Sequence, residues 1–225
     1  MKPIDEIAVN TIVAKDDPQR RAVFLGADAR KPRGYVGIGH ETIGSDILAL
    51  SRAVLMPDQV LGKEMASSIR GVETEEWYPI RLLLEPLERL DAVLGESSLR
   101  KIGWKLFELS HREAMRAAAK SVKDIVYGID GMYHRANRGK QIGGWKVLSF
   151  EPGEAVLEKT TPHHCIMEEG ILEAGCKEFG VNPTIFQNEC FRKGGEVCRI
   201  TIRSHVTDAR WTGEGTSKGW NEKTK

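Results

Sequence analysis

Four cysteines, Cys165, Cys176, Cys190 and Cys198, all lie in the last third of the 225-residue chain. In a reducing compartment such clustering suits metal binding or reactive thiols rather than disulfides. The plain alternative is four core residues, because a free Cys packs as a small apolar side chain. Cys165 falls in the first turn of a helix that Thr161-Pro162 opens, with Thr161 as N-cap and Pro162 at the first position. Unpaired backbone N–H groups there favour a thiolate. Cys176, eleven residues on, sits about 16 Å further along that axis and is assigned to the core. Cys190 and Cys198 flank Lys193-Gly-Gly-Glu196; a hairpin turning at Gly194 sets them opposite each other, Cα atoms within about 6 Å. Cys165, Cys190 and Cys198 then make three of the four tetrahedral ligands of a zinc ion. Glu189, His163, His164 or water is the fourth.

Other side chains carry weaker signals. His163-His164 suits a haem iron or the zinc site, against the plain reading of a solvated pair. Glu168, Glu169 and Glu173 suit acid–base work, against an exposed helix face. His111 and His134 bracket one helix, and either could face a pocket beside Trp145 and Tyr133; a surface histidine is the plain reading of each. Gly170, Ala174 and Gly175 read as close helix–sheet packing. Gly34 to Gly44 is glycine-rich, but its spacing departs from the dinucleotide pattern, so it reads as a loop. No nucleophile elbow, phosphate loop or metalloprotease helix occurs.

The elements that must position these groups are legible in part. Arg21–Gly26 reads as a short strand, and Ile47–Leu55 as a strand or buried helical turn. Pro86 reads as the first turn of a helix that Gly95 stops, with Leu87, Leu90 and Leu94 at helical spacing. Ser97 or Ser98 caps a second helix bearing Leu99, Ile102, Leu106 and Leu109. Ser110-His-Arg-Glu113 is a capping-box signature, and a third helix continues through Ala114, Ala118, Val122 and Ile125. Trp145–Phe150 and Ala155–Glu158 form a hairpin around Pro152-Gly153. The helix from Thr161 runs to about Phe179, where Gly180 ends it. Thr184–Phe191 and Val197–Ile202 form a second hairpin, and the tail from Thr207 reads as frayed. The fold class is therefore α+β, a helical layer on an antiparallel sheet of hairpins. Residues 1–76 are an unassigned N-terminal segment, a dimerisation element or small β-containing subdomain. Residues 77–205 are the main domain and 206–225 a polar tail.

Lys and Arg number 33 against 32 Asp and Glu, and the pI is near 7.7. That balance argues against a nucleic-acid partner. No apolar run spans a membrane and no secretory signal opens the chain, so a cytoplasmic protein is expected.

The stretch from Pro162-His-His-Cys165 through Glu168-Glu-Gly170, Ala174-Gly175, Glu189-Cys190 and Gly194-Gly195 to Cys198 resembles the 4-vinyl reductase domain family, which includes phenol-sensing and bacteriochlorophyllide vinyl-reductase-associated proteins. The match is good over residues 140–203. The resemblance implies a usually dimeric α/β module with zinc on Cys165, Cys190 and Cys198. Where the phenol sensors carry a zinc-binding Glu, this chain has Gln187, a poor zinc ligand. The sensors' pocket Trp corresponds to Trp145. The expected function is a small-molecule sensor or carrier, with a structural zinc and a hydrophobic pocket for an aromatic or tetrapyrrole-like ligand, haem included. The alternatives are an enzyme or accessory protein of tetrapyrrole metabolism, and an assembly adaptor without ligand. Catalysis is disfavoured because no cofactor motif would supply a hydride. A homodimer and a downstream protein partner are expected.

Overall fold

The computed structural model describes residues 39–213; the strand expected over residues 21–26 lies outside them. In chain order the elements are β1 (Glu41–Ile43), α1 (Gly44–Ala53), α2 (Pro57–Val60), α3 (Lys63–Arg70), β2 (Trp77–Pro79), α4 (Arg81–Leu94), α5 (Glu96–Leu106), α6 (Arg112–Ala118), α7 (Val122–Ala136), β3 (Asn137–Arg138), β4 (Trp145–Glu151), β5 (Glu154–Lys159), α8 (Cys165–Lys177), β6 (Thr184–Glu189), β7 (Cys198–Arg203) and α9 (Ala209–Thr212). The class is α+β, with helices and antiparallel sheets. A four-stranded sheet has the order β4-β5-β7-β6, and a small sheet has the order β2-β1-β3. Because β1 pairs with both β2 and β3, residues 41–43 are tied to strands on the far side of residue 76.

Both hairpins form where alternation and turn residues place them. Along β5, Ala155, Leu157 and Lys159 face inward and are buried, the period-two pattern of a half-buried strand. The helical layer departs from expectation in three places. α4 begins at Arg81, so Pro86 sits inside it rather than in a first turn and withholds an N–H from the carbonyl one turn earlier. Ser110–Glu113 does not start a helix. Instead α5 runs through one widened π turn, Phe107–His111, into α6, with the Arg112 N–H bonding to the Phe107 carbonyl. The break comes later, at Ala119–Ser121, where Ser121 and Asp124 cap α7. α8 begins at Cys165 with His164 as N-cap, so Thr161 and Pro162 precede it. Of the stretch Ile47–Leu55, residues 47–53 lie in helix α1. The tail is not frayed at its start: Trp211 is fully buried, stacks on Phe150 at 5.7 Å and donates its indole N–H to the Glu151 carbonyl.

α8 is the centre of the molecule. Its Leu172 and Cys176 join a core with Val126 and Ile129 of α7 and with Leu157, Ile200 and Ile202 of the sheet. Its Ile166 and Met167 join a second core with Ile47 and Leu50 of α1, Leu87 of α4, and Leu99 and Ile102 of α5. Residues 165–170 are buried without exception, as befits a helix covered on all sides. The approach of α5 is set by glycine. A Cβ on Gly103 would overlap the Met167 carbonyl, and one on Gly170 would overlap the Arg100 carbonyl. Gly170 thus packs against a helix, and Gly175 against Ile125 and Phe107, rather than against the sheet. Gly170→Ala should force the helices apart and lower stability by about 2–3 kcal/mol, read from a urea denaturation curve.

Candidate functional site

Between α8, the end of α7 and the π turn lies a partly open cavity of about 40 Å³. Its wall is mostly apolar, with Leu83, Leu106, Ile129, Met132 and Met167 among its residues, and five polar side chains converge on it: Asp46, His111, Asn137, His163 and Glu168. Trp145 and Tyr133 also line it. Of the expected pocket residues, Trp145, Tyr133 and His111 therefore meet at one place. His134 does not: it is exposed near the end of α7, 3.5 Å from Asp130 Oδ1.

One side of the cavity is a buried polar network. Lys159 and Glu168 form an ion pair, with Lys159 wholly buried. Thr161 Oγ1 donates to Glu168 Oε1 at 2.8 Å, and Lys159 Nζ donates to the His163 carbonyl at 3.3 Å. His163 Nε2 lies 3.2 Å from Asn137 Oδ1, and Asn137 Nδ2 donates to the Tyr133 carbonyl at 3.0 Å. The Tyr133 ring meets His163 edge-on at 5.4 Å, and its hydroxyl donates to the Ile142 carbonyl at 2.8 Å. Trp145 is placed by its backbone N–H, which donates to Asp130 Oδ1 at 2.7 Å, and its ring has Lys159 Nζ 5.4 Å away. Pairing offsets the cost of drying two charges, and breaking one partner would leave the other bare.

These polar residues correct the sequence reading. Glu168 and Glu169 are buried, not on an exposed face, as are His163 and His164. Glu169 pairs with Arg100, and burial still holds its carboxyl above the ordinary range. Lys159, Asn137 and Asp46 escaped notice. For Lys159 a signal existed, since the alternation of Ala155 and Leu157 puts it on the inward face.

On the other side of α8, Cys165, Cys190 and Cys198 bring their sulfurs within 4.8 Å of one another. Cys165 Sγ lies 3.4 Å from Cys190 Sγ and 3.7 Å from Cys198 Sγ. The hairpin register supports this: Glu189 pairs with Arg199, which sets the next residues, Cys190 and Cys198, opposite each other. All three thiols are buried and share a small cluster with Phe191, whose N–H donates to Cys198 Sγ at 3.1 Å. Hydrogen bonds among the sulfurs, and then burial, push the Cys190 thiol well up. Cys176 stands apart in the core, its thiol pushed up to about 12 by burial.

The structure does not bring His164 or Glu189 into the thiol cluster. His164 Nε2 lies 3.2 Å from Asp91 Oδ2, and burial, followed by the charge of Arg192, holds its pKa down. Glu189 Oε1 accepts the Glu196 N–H at 3.0 Å. Gln187 is nearer: its Nε2 is 4.0 Å from Cys198 Sγ, and its Oε1 is buried without a hydrogen-bond partner among the described residues.

No protein-family model and no curated protein sequence matches the chain. Solved structures share its fold. An H-NOX protein from S. oneidensis in the Fe(II)NO ligation state is 14% identical, with a TM-score of 0.57 over 72% of this chain and 98% of that one. A variant of that protein in the Fe(II) ligation state, also 14% identical, has a TM-score of 0.58 over 75% and 99% of the two chains. The Fe(II) unliganded H-NOX protein from K. algicida is 12% identical, with a TM-score of 0.55 over 72% and 96%. These findings overturn the resemblance to the 4-vinyl reductase domain family: the cysteine-hairpin motif suggested it, and the fold neighbours are H-NOX proteins. The fold of this chain is that of the H-NOX proteins.

Proposed function

We propose that this chain is a small-molecule-sensing module whose ligand occupies the cavity beneath α8. The observation that carries the reading is the cavity itself, a mostly apolar concavity on which five polar side chains converge, the usual form of a small-molecule site. A single water needs about 10–15 Å³ by this measure, so the cavity suits a ligand of a few heavy atoms. An aromatic ring requires it to widen. The fold neighbours, described in Fe(II) and Fe(II)NO states, favour haem as a second reading. A macrocycle does not fit a cavity of about 40 Å³, which is far below the about 300–1,000 Å³ of a drug-sized site, and His163 already has Asn137 and Glu168 at its two ring nitrogens. A haem absorbance band in the purified protein would decide for that second reading.

The thiol cluster fits a structural zinc. Bonds of about 2.3 Å in a tetrahedron put sulfurs about 3.8 Å apart, close to the spacings found between Cys165 and its two partners. Cys165, Cys190 and Cys198 would hold the ion. Water would take the fourth position, with Gln187, its amide turned so that Oε1 faces the thiols, beside it. A zinc there ties α8 to the second hairpin and makes one wall of the cavity rigid. The homodimer and the downstream partner belong to the same reading: Leu55, Met56 and Tyr127 expose apolar surface through which a sensor could pass its signal.

Elemental analysis should find about one zinc per chain, and Cys198→Ser should lose it together with several kcal/mol of stability. A metal-free parent, melting like the variant, would refute the zinc. For the pocket, xenon is a fitting probe because it enters dry apolar cavities. It should quench the fluorescence of Trp145, and Trp145→Phe should remove most of that quenching; no xenon in the cavity would end the sensing proposal.

A further inference from the structure

The cavity has a second feature at the end away from Lys159 and Glu168. Asp46, from α1, points one carboxylate oxygen at His111 of the π turn, with Oδ2 3.8 Å from Nε2, too far for a hydrogen bond. The other oxygen, Oδ1, is buried and has no hydrogen-bond partner among the described residues, and the side chain is only 8% exposed. Burial pushes Asp46 above the usual carboxylate range, and His111 and Ser110 pull it back. An acceptor kept dry and unpaired costs folding free energy, and among the described residues none bonds to Oδ1.

The position of this pair explains why such a group would be kept. Outside it lies an open groove of about 190 Å³, whose walls include Ser45, Ser110, Ala114 and Arg135. Asp46, His111, Met132 and Ala136 line both the groove and the cavity, so they form the neck between them. The π turn adds a residue to the helix at this point, which sets His111 on the neck while Ser110 Oγ donates to the Ser45 carbonyl at 3.4 Å. Widened turns of this kind recur at functional sites.

We infer that the Asp46–His111 neck is where the ligand enters and is recognised, Asp46 Oδ1 accepting a hydrogen bond from a hydroxyl or amine on a small, otherwise apolar molecule. This rests on the pocket reading above and names the chemistry the pocket selects. A buried acceptor rejects an equally sized ligand that lacks a donor, because the oxygen would then stay unpaired. His111 stands beside it as the group that must give way when the ligand passes.

Titration calorimetry on the full chain with 1-butanol, 1-butylamine and butanone tests this, since the three match in size and only the first two donate. The alcohol or the amine should bind at least tenfold more tightly than the ketone, and their order tells a hydroxyl ligand from a cationic one. Asp46→Ala should reduce that preference to less than twofold and leave ketone binding as it was. Asp46→Asn keeps the shape should the alanine variant fail to fold. It should melt above the parent at pH 7 and bind the amine more weakly; a lower melting temperature with unchanged probe binding overturns the inference. Equal binding of all three probes to the parent, or xenon binding without any of them, overturns the inference and leaves the pocket standing. Absence of both the probes and xenon overturns both.

Discussion

Everything in this molecule depends on how closely α5 can approach α8. Gly103 and Gly170 present backbone to backbone, and with no side chain between them α8 sinks into the body of the protein until both of its faces are core. A helix in that position cannot send its polar side chains to water. Glu168 must be neutralised where it stands, which Lys159 does, and Glu169 must meet Arg100. The same depth brings the N-terminus of α8 onto the second hairpin, where Cys165 reaches two more thiols. Cavity wall, ion pair and thiol cluster are three consequences of one close contact.

What could be read from the sequence was local. Trp145–Phe150 and Ala155–Glu158 announce their strands by alternation, Gly180 marks the end of α8, and Cys190 and Cys198 are placed by the hairpin around Gly194. What escaped depends on tertiary context. Pro86 is an effective helix breaker until packing of Leu83, Leu84 and Leu87 holds the helix around it. The Ser110–Glu113 motif looks like a cap, yet a π turn continues the helix there and Ser110 bonds to Ser45, 65 residues away. Glu168 and Glu169 look solvated on any helical wheel, because the wheel does not show that helix packing covers the polar face as well. Asp46 has no signature at all: its role as a wall residue follows only from where α1 lies against the π turn. The cysteine motif was legible as a cluster but misleading as a family label, since hairpin spacing reports local geometry and not descent.

The cavity also shows how differently this protein treats its buried polar groups. On one side His163 meets Asn137, Asn137 bonds to Tyr133, the Tyr133 hydroxyl to Ile142 and Thr161 to Glu168, which stiffens that wall and fixes the orientation of each ring. Asp46, at the neck beside His111, keeps one carboxylate oxygen without a hydrogen-bond partner among the described residues. Rigidity on one side and unspent hydrogen-bonding capacity on the other is an arrangement in which something arriving from outside has one place to make a difference.

Lys159 has a further consequence, for how the chain finds its fold. On β5 it faces inward opposite Cys198 on one neighbour and Trp145 on the other. A strand that slips by one residue turns every side chain to the opposite face. In such a slip Glu158 would enter the core beside Glu168 with no cation between them, and Lys159 would leave for solvent. The mispaired sheet would therefore carry two like charges in a dry interior, a penalty that no apolar strand could impose. Slippage of β7 would be punished as well, because Cys198 would be carried away from Cys165 and Cys190. The charge pair and the thiols together disfavour every sheet register but the native one, and with it every alignment that would deform the cavity.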